Sequence, residues 1–278
     1  MAISTSPNNE QSDFYVEKWF LDCISHTGET MIFYVANLRW HRWEVPYTSW
    51  LWYDPGSGTK RRSRFHHVHL PDQEGNIINW VDPRFGIRGR WESRADILTA
   101  RLFESSEGYL DWNCYQPISK VRLKAGDRQL ECTGYAEQLI LSIAPWKIPM
   151  EELRWGRYGH QKDYMVWIDI RGERNQTWLW YNGEKIDHVA ITDNLIQLPS
   201  RNLILTMKNP IPLEAEKKIF KIATKLTHLP GLRHSMPLHF LMADGAKWRS
   251  RGLLHQGNQL LNSGWIIHEY INFRPPPA

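Results

Sequence analysis

Glu137 has the setting of an acid–base residue. It stands in the run Gly134-Tyr135-Ala136-Glu137-Gln138-Leu139, where loss of water raises a carboxyl pKa. An acid that keeps its proton near neutrality can protonate an alkene, a carbonyl or a leaving hydroxyl. The alternative is an ion pair with Arg154 or Arg157 that anchors the chain crossing at residues 145–149. Two more carboxylates share this kind of setting, Glu17 in Tyr15-Val16-Glu17-Lys18-Trp19 and Glu269 in Ile267-His268-Glu269-Tyr270. On an inward barrel face a carboxylate must be paired, hydrogen-bonded or protonated, so both are ligand-contact candidates, although their placement equally fits a repeated architecture. Arg154-Trp155-Gly156-Arg157-Tyr158-Gly159-His160 forms a compact polar and aromatic cluster. Here Arg157 would fix an oxygen, His160 would move a proton, and Trp155 and Tyr158 would wall a pocket; a salt-linked loop is the competing reading. Tyr135 and Trp146 extend the aromatic lining, and His188 and His268 are secondary acid–base candidates.

His67-Val68-His69 followed by Glu74 resembles part of the cupin metal pattern, since alternate strand residues can aim two imidazoles at one ion. Arg61 and Val81 stand where that pattern has glycines, and no second motif supplies a later ligand. No metal is expected. Gly-x-Ser-x-Gly, His-Glu-x-x-His and Gly-x-Gly-x-x-Gly motifs are absent, so the motif-based cases for serine hydrolysis, zinc proteolysis and dinucleotide binding fail, and no cofactor is expected. Three cysteines, Cys23, Cys114 and Cys132, cannot form a full disulfide set. We expect all three to be free in a reducing, cytoplasmic setting, with one disulfide plus a free thiol as the alternative.

The elements that must position these residues read as strands. Short runs with frequent Gly, Asp and Pro punctuation favour an antiparallel meander over alternating β–α units. Strands are predicted at 14–23, 31–37, 48–53, 65–70, 76–81, 97–103, 109–115, 129–143, 164–170, 176–181, 186–191, 203–207, 238–242 and 265–273. The first places Tyr15, Glu17 and Trp19 on one face, with Val16 and Phe20 on the other. Asn182-Gly183 is a hairpin turn. Pro145-Trp146-Lys147-Ile148-Pro149 interrupts regular pairing, and residues 150–155 are read as one helical turn. A helix at 213–226 has an apolar stripe of Ala215, Ile219, Ile222, Ala223 and Leu226, and would cover or connect sheet edges, with membrane binding as the lesser reading. Residues 1–13 read as a disordered arm and 275–278 as an extended tail.

At 278 residues the chain can build a large core or two modest domains. Fifteen Trp, eleven Tyr and nine Phe supply bulk for a core, an aromatic pocket or a partner surface. The net charge of +4 is a small excess and does not call for a nucleic-acid partner. Lys60-Arg61-Arg62-Ser63-Arg64, beside the turn Pro55-Gly56-Ser57-Gly58, reads as a solvated hairpin or loop, with an anionic ligand or lipid headgroup as the alternative. No run reaches eighteen continuous apolar residues, so no integral membrane segment is expected, while a peripheral membrane contact stays open.

The Glu137 run, the segment Ala144-Pro145-Trp146-Lys147-Ile148-Pro149, the run Leu153-Arg154-Trp155-Gly156-Arg157 and the closing Gly264-Trp265-Ile266-Ile267-His268-Glu269-Tyr270 together resemble the two-domain lipocalin-like superfamily. That group includes carotenoid 1,2-hydratases, AttH-like proteins and fungal decalin-forming cyclases. In the first half, Glu17-Lys18-Trp19 departs from a more aromatic Glu-Trp-Trp-like run. The resemblance implies an all-β protein of two packed calycin/lipocalin-like antiparallel barrels, 14–145 and 146–274, with a short helix in the second. A hydrophobic small molecule would sit in one barrel or between them and undergo cyclisation, isomerisation or hydration, the substrate being terpenoid or polyketide-like. For hydration the proton donor maps onto Glu137; for cyclisation the clamps map onto Trp146, Trp155, Arg157 and Tyr158. A noncatalytic carrier of a lipophilic ligand and a protein-interaction module are the competing classes.

Overall fold

In the computed structural model, residues 14–65, 68–161, 163–214 and 244–274 are described, and their two-residue periodicity becomes two curled antiparallel sheets. The first contains β1 (Phe14–Ile24), β2 (Thr30–Trp40), β3 (Trp43–Asp54), β4 (Gly58–Arg64), β5 (Asp72–Glu74), β6 (Ile77–Asp82), β7 (Ile87–Ser93), β8 (Leu98–Ser105), β9 (Gly108–Ala125) and β10 (Arg128–Leu141). After a 3-10 turn at Pro145–Lys147, the second contains β11 (Met150–His160), β12 (Asp163–Gly172), β13 (Gln176–Tyr181), β14 (Glu184–Lys185), β15 (Ala190–Ile191), β16 (Leu195–Leu198), β17 (Leu203–Glu214), β18 (Asp244–Gln256) and β19 (Gln259–Asn272).

The two sheets follow one path. Their orders are β4-β3-β2-β1-β10-β9-β7-β6-β5 and β14-β13-β12-β11-β19-β18-β17-β16-β15, with β8 an insertion that pairs with β9. In each, the first strand lies beside the last. Phe20 faces Glu137, Asp22 faces Tyr135 and Lys18 faces Leu139. In the second sheet Trp155 faces Glu269, Arg157 faces Ile267 and Leu153 faces Ile271. Phe20 and Trp155, Asp22 and Arg157, and Glu137 and Glu269 therefore occupy matching positions, so the repeated architecture accounts for the similar settings of Glu137 and Glu269, whereas Glu17, on β1, is not part of that match.

Alternation sorts each strand's residues between two environments. One face of the first sheet closes on Trp19, Leu21, Phe33, Trp80 and Trp91, and one face of the second on Tyr158, Trp167, Leu179, Leu205 and Ile266. The remaining faces meet in a shared core that includes Phe20, Tyr34, Trp112, Tyr135, Trp155 and Ile168. Two glycines permit this packing, because the Trp91 indole lies against Gly134 and the Trp167 indole against Gly156, where a Cβ would otherwise stand. A tryptophan buried in this way contributes roughly 4–6 kcal/mol by area.

Several expected elements differ. Residues 150–155 are strand, not a helical turn, because β11 is hydrogen-bonded on both sides, to β12 and to β19. A helical turn would leave both neighbours' backbone groups unpaired. The basic run forms β4, an edge strand paired with β3, and its charges suit an edge that must not recruit another strand. Phe65 and residues 68–70 are outside any strand. The expected strand at 186–191 shrinks to Ala190–Ile191, since His188 takes a left-handed φ of 56° that breaks the ladder. The Asn182-Gly183 turn has positive φ at both residues, 50° and 87°, as a two-residue hairpin needs. Leu213 and Glu214 end β17; the rest of the expected helix, the expected strand at 238–242, residues 1–13, His67 and residues 275–278 lie outside the described residues. No helix among the described residues is long and apolar enough to cross a membrane. Cys23, Cys114 and Cys132 are buried and unbridged.

Candidate active site between the sheets

The facing sheets leave a cavity of about 370 Å³ between them, within the range of ordinary small-molecule sites. Val16, Leu38, Leu139, Leu153, Ile168 and Ile271 are typical of its walls, and Lys18, Glu137, Glu214, Lys247 and Glu269 stand among them. The strand period explains the selection on β1, where Val16, Lys18 and Phe20 face the cavity and Trp19 and Leu21 face the first sheet's own core.

Glu137 is buried on the wall. The pairing of β10 with β9 shifts register between Gly134 and Ala136 and again between Ala136 and Gln138, the second shift spanning Glu137, and such bulges re-aim side chains. Its Oε2 accepts three hydrogen bonds, from Trp112 Nε1 at 2.5 Å, from the Tyr135 hydroxyl at 2.5 Å and from Trp155 Nε1 at 3.1 Å. Burial pushes the carboxyl above the usual carboxylate range, against the opposing pull of the Tyr135 and Trp112 hydrogen bonds and of the Lys18 and Lys247 charges. Oε1 takes part in none of these three hydrogen bonds. Burial also holds the Tyr135 phenol well above its ordinary value, so it remains a donor.

On the opposite wall Lys247 Nζ donates to Glu269 Oε2 at 2.7 Å. The same ammonium lies 4.8 Å from the Phe20 ring centroid, 5.0 Å from that of Trp155 and 5.6 Å from that of Tyr34. Three aromatic faces thus surround one cation, an arrangement that ring quadrupoles favour. Glu214 stands 3.9 Å from Arg61 Nη1. Lys18 Nζ lies 5.1 Å from the Tyr34 ring, and burial lowers its pKa, with Glu269 the largest opposing influence.

The structure brings Glu137, Trp155 and Glu269 into the cavity wall, with Tyr135 one hydrogen bond behind. The other sequence candidates lie elsewhere. Arg157 makes a two-pronged contact with Asp22, Nε to Oδ2 at 3.0 Å and Nη2 to Oδ1, and the pair is buried between the sheets, at 2 % and 0 % exposure. It leaves no donor fork pointing into the cavity wall. Nor does Glu137 pair with either arginine, since Arg154 engages Glu152 and Asp193. His160 ends β11 opposite Asp163. Glu17 turns away from the cavity, where it accepts from Trp19 Nε1 and Gln138 Nε2. The Tyr158 hydroxyl donates to Asn262 Oδ1 within the second sheet, and Trp146 packs on Phe14 and Trp40. His188 is exposed. Sequence reasoning passed over Lys18, Glu214 and Lys247. Lys18 carried a signal, since it falls between Val16 and Phe20 in the same two-residue series.

No family model and no curated protein matches the sequence. Solved structures do resemble it. An AttH-like protein of Nitrosomonas europaea superposes with a TM-score of 0.54 at 9% identity, covering 97% of this chain and 98% of that one. Kievitone hydratase from Nectria haematococca gives 0.56 at 6% identity, over 94% and 90%. CghA gives 0.53 at 9% identity, over 96% and 90%, and CghA with Sch210972 gives 0.51 at 10% identity, over 95% and 90%. The chain has the two-domain lipocalin-like fold. At these identities the likeness is one of fold. In this lipocalin-like pair the enclosed centres of the sheets are filled by indoles such as Trp80, Trp91 and Trp167, so the described cavity lies between the halves.

Proposed function

We propose that the chain is an enzyme that encloses an apolar terpenoid or polyketide-like molecule between its sheets and promotes its cyclisation, isomerisation or hydration by proton transfer from Glu137. The observation that carries this reading is a buried carboxyl on an apolar cavity wall, with one oxygen held by three donors and the other outside those bonds. The proton on Oε1 passes to a substrate double bond or carbonyl, and a second double bond or water captures the positive centre. Release of a proton to the carboxylate then restores the acid. The Phe20, Tyr34 and Trp155 rings, whose faces the Lys247 ammonium already engages, shape this part of the wall. Asp22 and Arg157 act behind these rings by tying the sheets together. The fold likeness to a protein named as a hydratase, and to CghA solved with Sch210972, supports small-molecule chemistry. A carrier role is the second reading, favoured by walls that need no reaction to retain a lipophilic molecule.

The test begins with native mass spectrometry of protein purified from its own host, which identifies the bound molecule. Single-turnover conversion of that molecule, or of its precursor, is then compared between the unaltered protein and Glu137→Gln. The expected result is a rate lowered by roughly 10²–10⁴-fold with binding retained. Full turnover by folded Glu137→Gln would remove Glu137 as the acid, and a molecule bound but never converted would establish carriage.

A further inference from the structure

Among the described residues, the charged side chains of the cavity wall have ion-pair or hydrogen-bond partners except for Lys18. Lys247 is paired with Glu269 and Glu214 with Arg61, and Glu137 is engaged by neutral donors. Lys18 has no carboxylate within ion-pair distance among the described residues; its ammonium lies over the Tyr34 ring. A lysine in this position is not a requirement of the fold, because the matching place in the second sheet, opposite Ile271, holds Leu153. A second unmet group lies in the same row. Lys18 pairs with Ala36, and Ala36 with Tyr47, so the three residues stand side by side across β1, β2 and β3, and all three line the cavity. The Tyr47 hydroxyl is buried without a hydrogen-bond partner among the described residues. Between the two donors the small Ala36 side chain leaves a notch, and neighbouring strands about 4.8 Å apart put the outer two roughly 10 Å apart at the backbone, a span that a lysine side chain and a phenol can close upon one group.

We propose that the molecule held in the cavity carries a single carboxylate, seated over Ala36 and bound by the Lys18 ammonium and the Tyr47 hydroxyl. This rests on the reading of the cavity as a site for an apolar molecule and adds the class of that molecule, an apolar monoacid. A buried cation and a buried hydroxyl each carry a desolvation penalty when unpaired, and one oxyanion relieves both. The acid group anchors one end of the substrate, and the apolar remainder extends along the walls towards Glu137.

Decanoate and decan-1-ol have the same chain and differ at the head, so they separate this inference from the reading beneath it. Their binding is measured by calorimetry on the unaltered protein, Lys18→Met and Tyr47→Phe. The unaltered protein should bind decanoate roughly 10–100-fold more tightly than the alcohol, the ratio that one charge-assisted hydrogen bond supplies. Lys18→Met should abolish that preference and leave the alcohol unchanged, and Tyr47→Phe should weaken the acid alone. Equal binding of both probes by the unaltered protein, a comparison that needs no variant, would overturn the carboxylate site while leaving the apolar cavity intact. A preference that survives in Lys18→Met would overturn Lys18 as its seat. Binding of neither probe would overturn the apolar-ligand reading and this inference with it.

Discussion

Two titratable residues, the buried Glu137 and the half-buried His268, give the protein opposite responses to pH. Glu137 holds its proton above the ordinary carboxyl value of 4.5, so between that value and its raised one the folded state binds a proton that the unfolded state releases. Its contribution to stability is complete below the unfolded value and is lost as pH rises through the folded one. His268 runs the other way. Burial, reinforced by the Lys247 charge, lowers it from 6.5 to about 4. Its contribution is therefore complete above 6.5 and is lost as pH falls to about 4. A displacement of that size corresponds at most to about 3 kcal/mol, and screening at the partly exposed ring reduces it to on the order of 2 kcal/mol. Urea midpoints measured from pH 4 to 7 should show a steeper rise with pH in Glu137→Gln than in the unaltered protein, and a shallower one in His268→Gln. Identical profiles for all three would show that neither group changes its proton affinity on folding.

At the scale of the strands, β7 and β9 set like charges opposite each other. Arg88 faces Lys124 and Arg90 faces Arg122, all on the exposed side, whereas Glu92 opposite Lys120 is a favourable pair. Like charges directly across a ladder are destabilising. Glu131 relieves Arg122 only from a distance, at 3.6 Å with both side chains exposed. Arg90→Thr should therefore raise stability by about 0.5 kcal/mol at low salt. The gain should shrink at 1 M salt, where screening acts within about 3 Å. Chemical unfolding at the two ionic strengths checks this, and a gain that does not depend on salt would point to strand propensity instead of charge.

For the molecule as a whole, the Asp22–Arg157 pair joins two sheets that repeat one topology. The partners are 135 residues apart in the chain and both are buried. Removing either alone leaves an uncompensated charge between the halves, which typically costs 3–5 kcal/mol, whereas replacing both with apolar groups of similar volume is often close to neutral. Asp22→Leu and Arg157→Met should each lower the urea-derived stability by about 3–5 kcal/mol, and the double variant should recover most of the loss. Simple addition of the two single losses would show that the side chains act independently. Because the same faces form the cavity, the single variants should also weaken decanoate binding.

Periodicity, punctuation and composition by themselves determined that this chain is an antiparallel β protein rich in aromatic side chains, and the packing of the sheets decided that indoles such as Trp80, Trp91 and Trp167 are buried. They also picked out the strands around Glu17, Glu137 and Glu269 and the Asn182-Gly183 hairpin, all consequences of neighbours in sequence. The facing of each strand was decided by tertiary pairing. A step of one residue reverses every side chain of a strand, which is why Glu17 bonds Trp19 and Gln138 on one side of β1 while Lys18 enters the cavity on the other. Pairing on two sides also made residues 150–155 a strand, against their local reading as a helical turn. Arg157 shows the same limit most plainly. Its sequence neighbours suggested a ligand clamp, but its partner Asp22 lies in the other sheet, and no local pattern encodes a contact made only when two separately closed faces are pressed together.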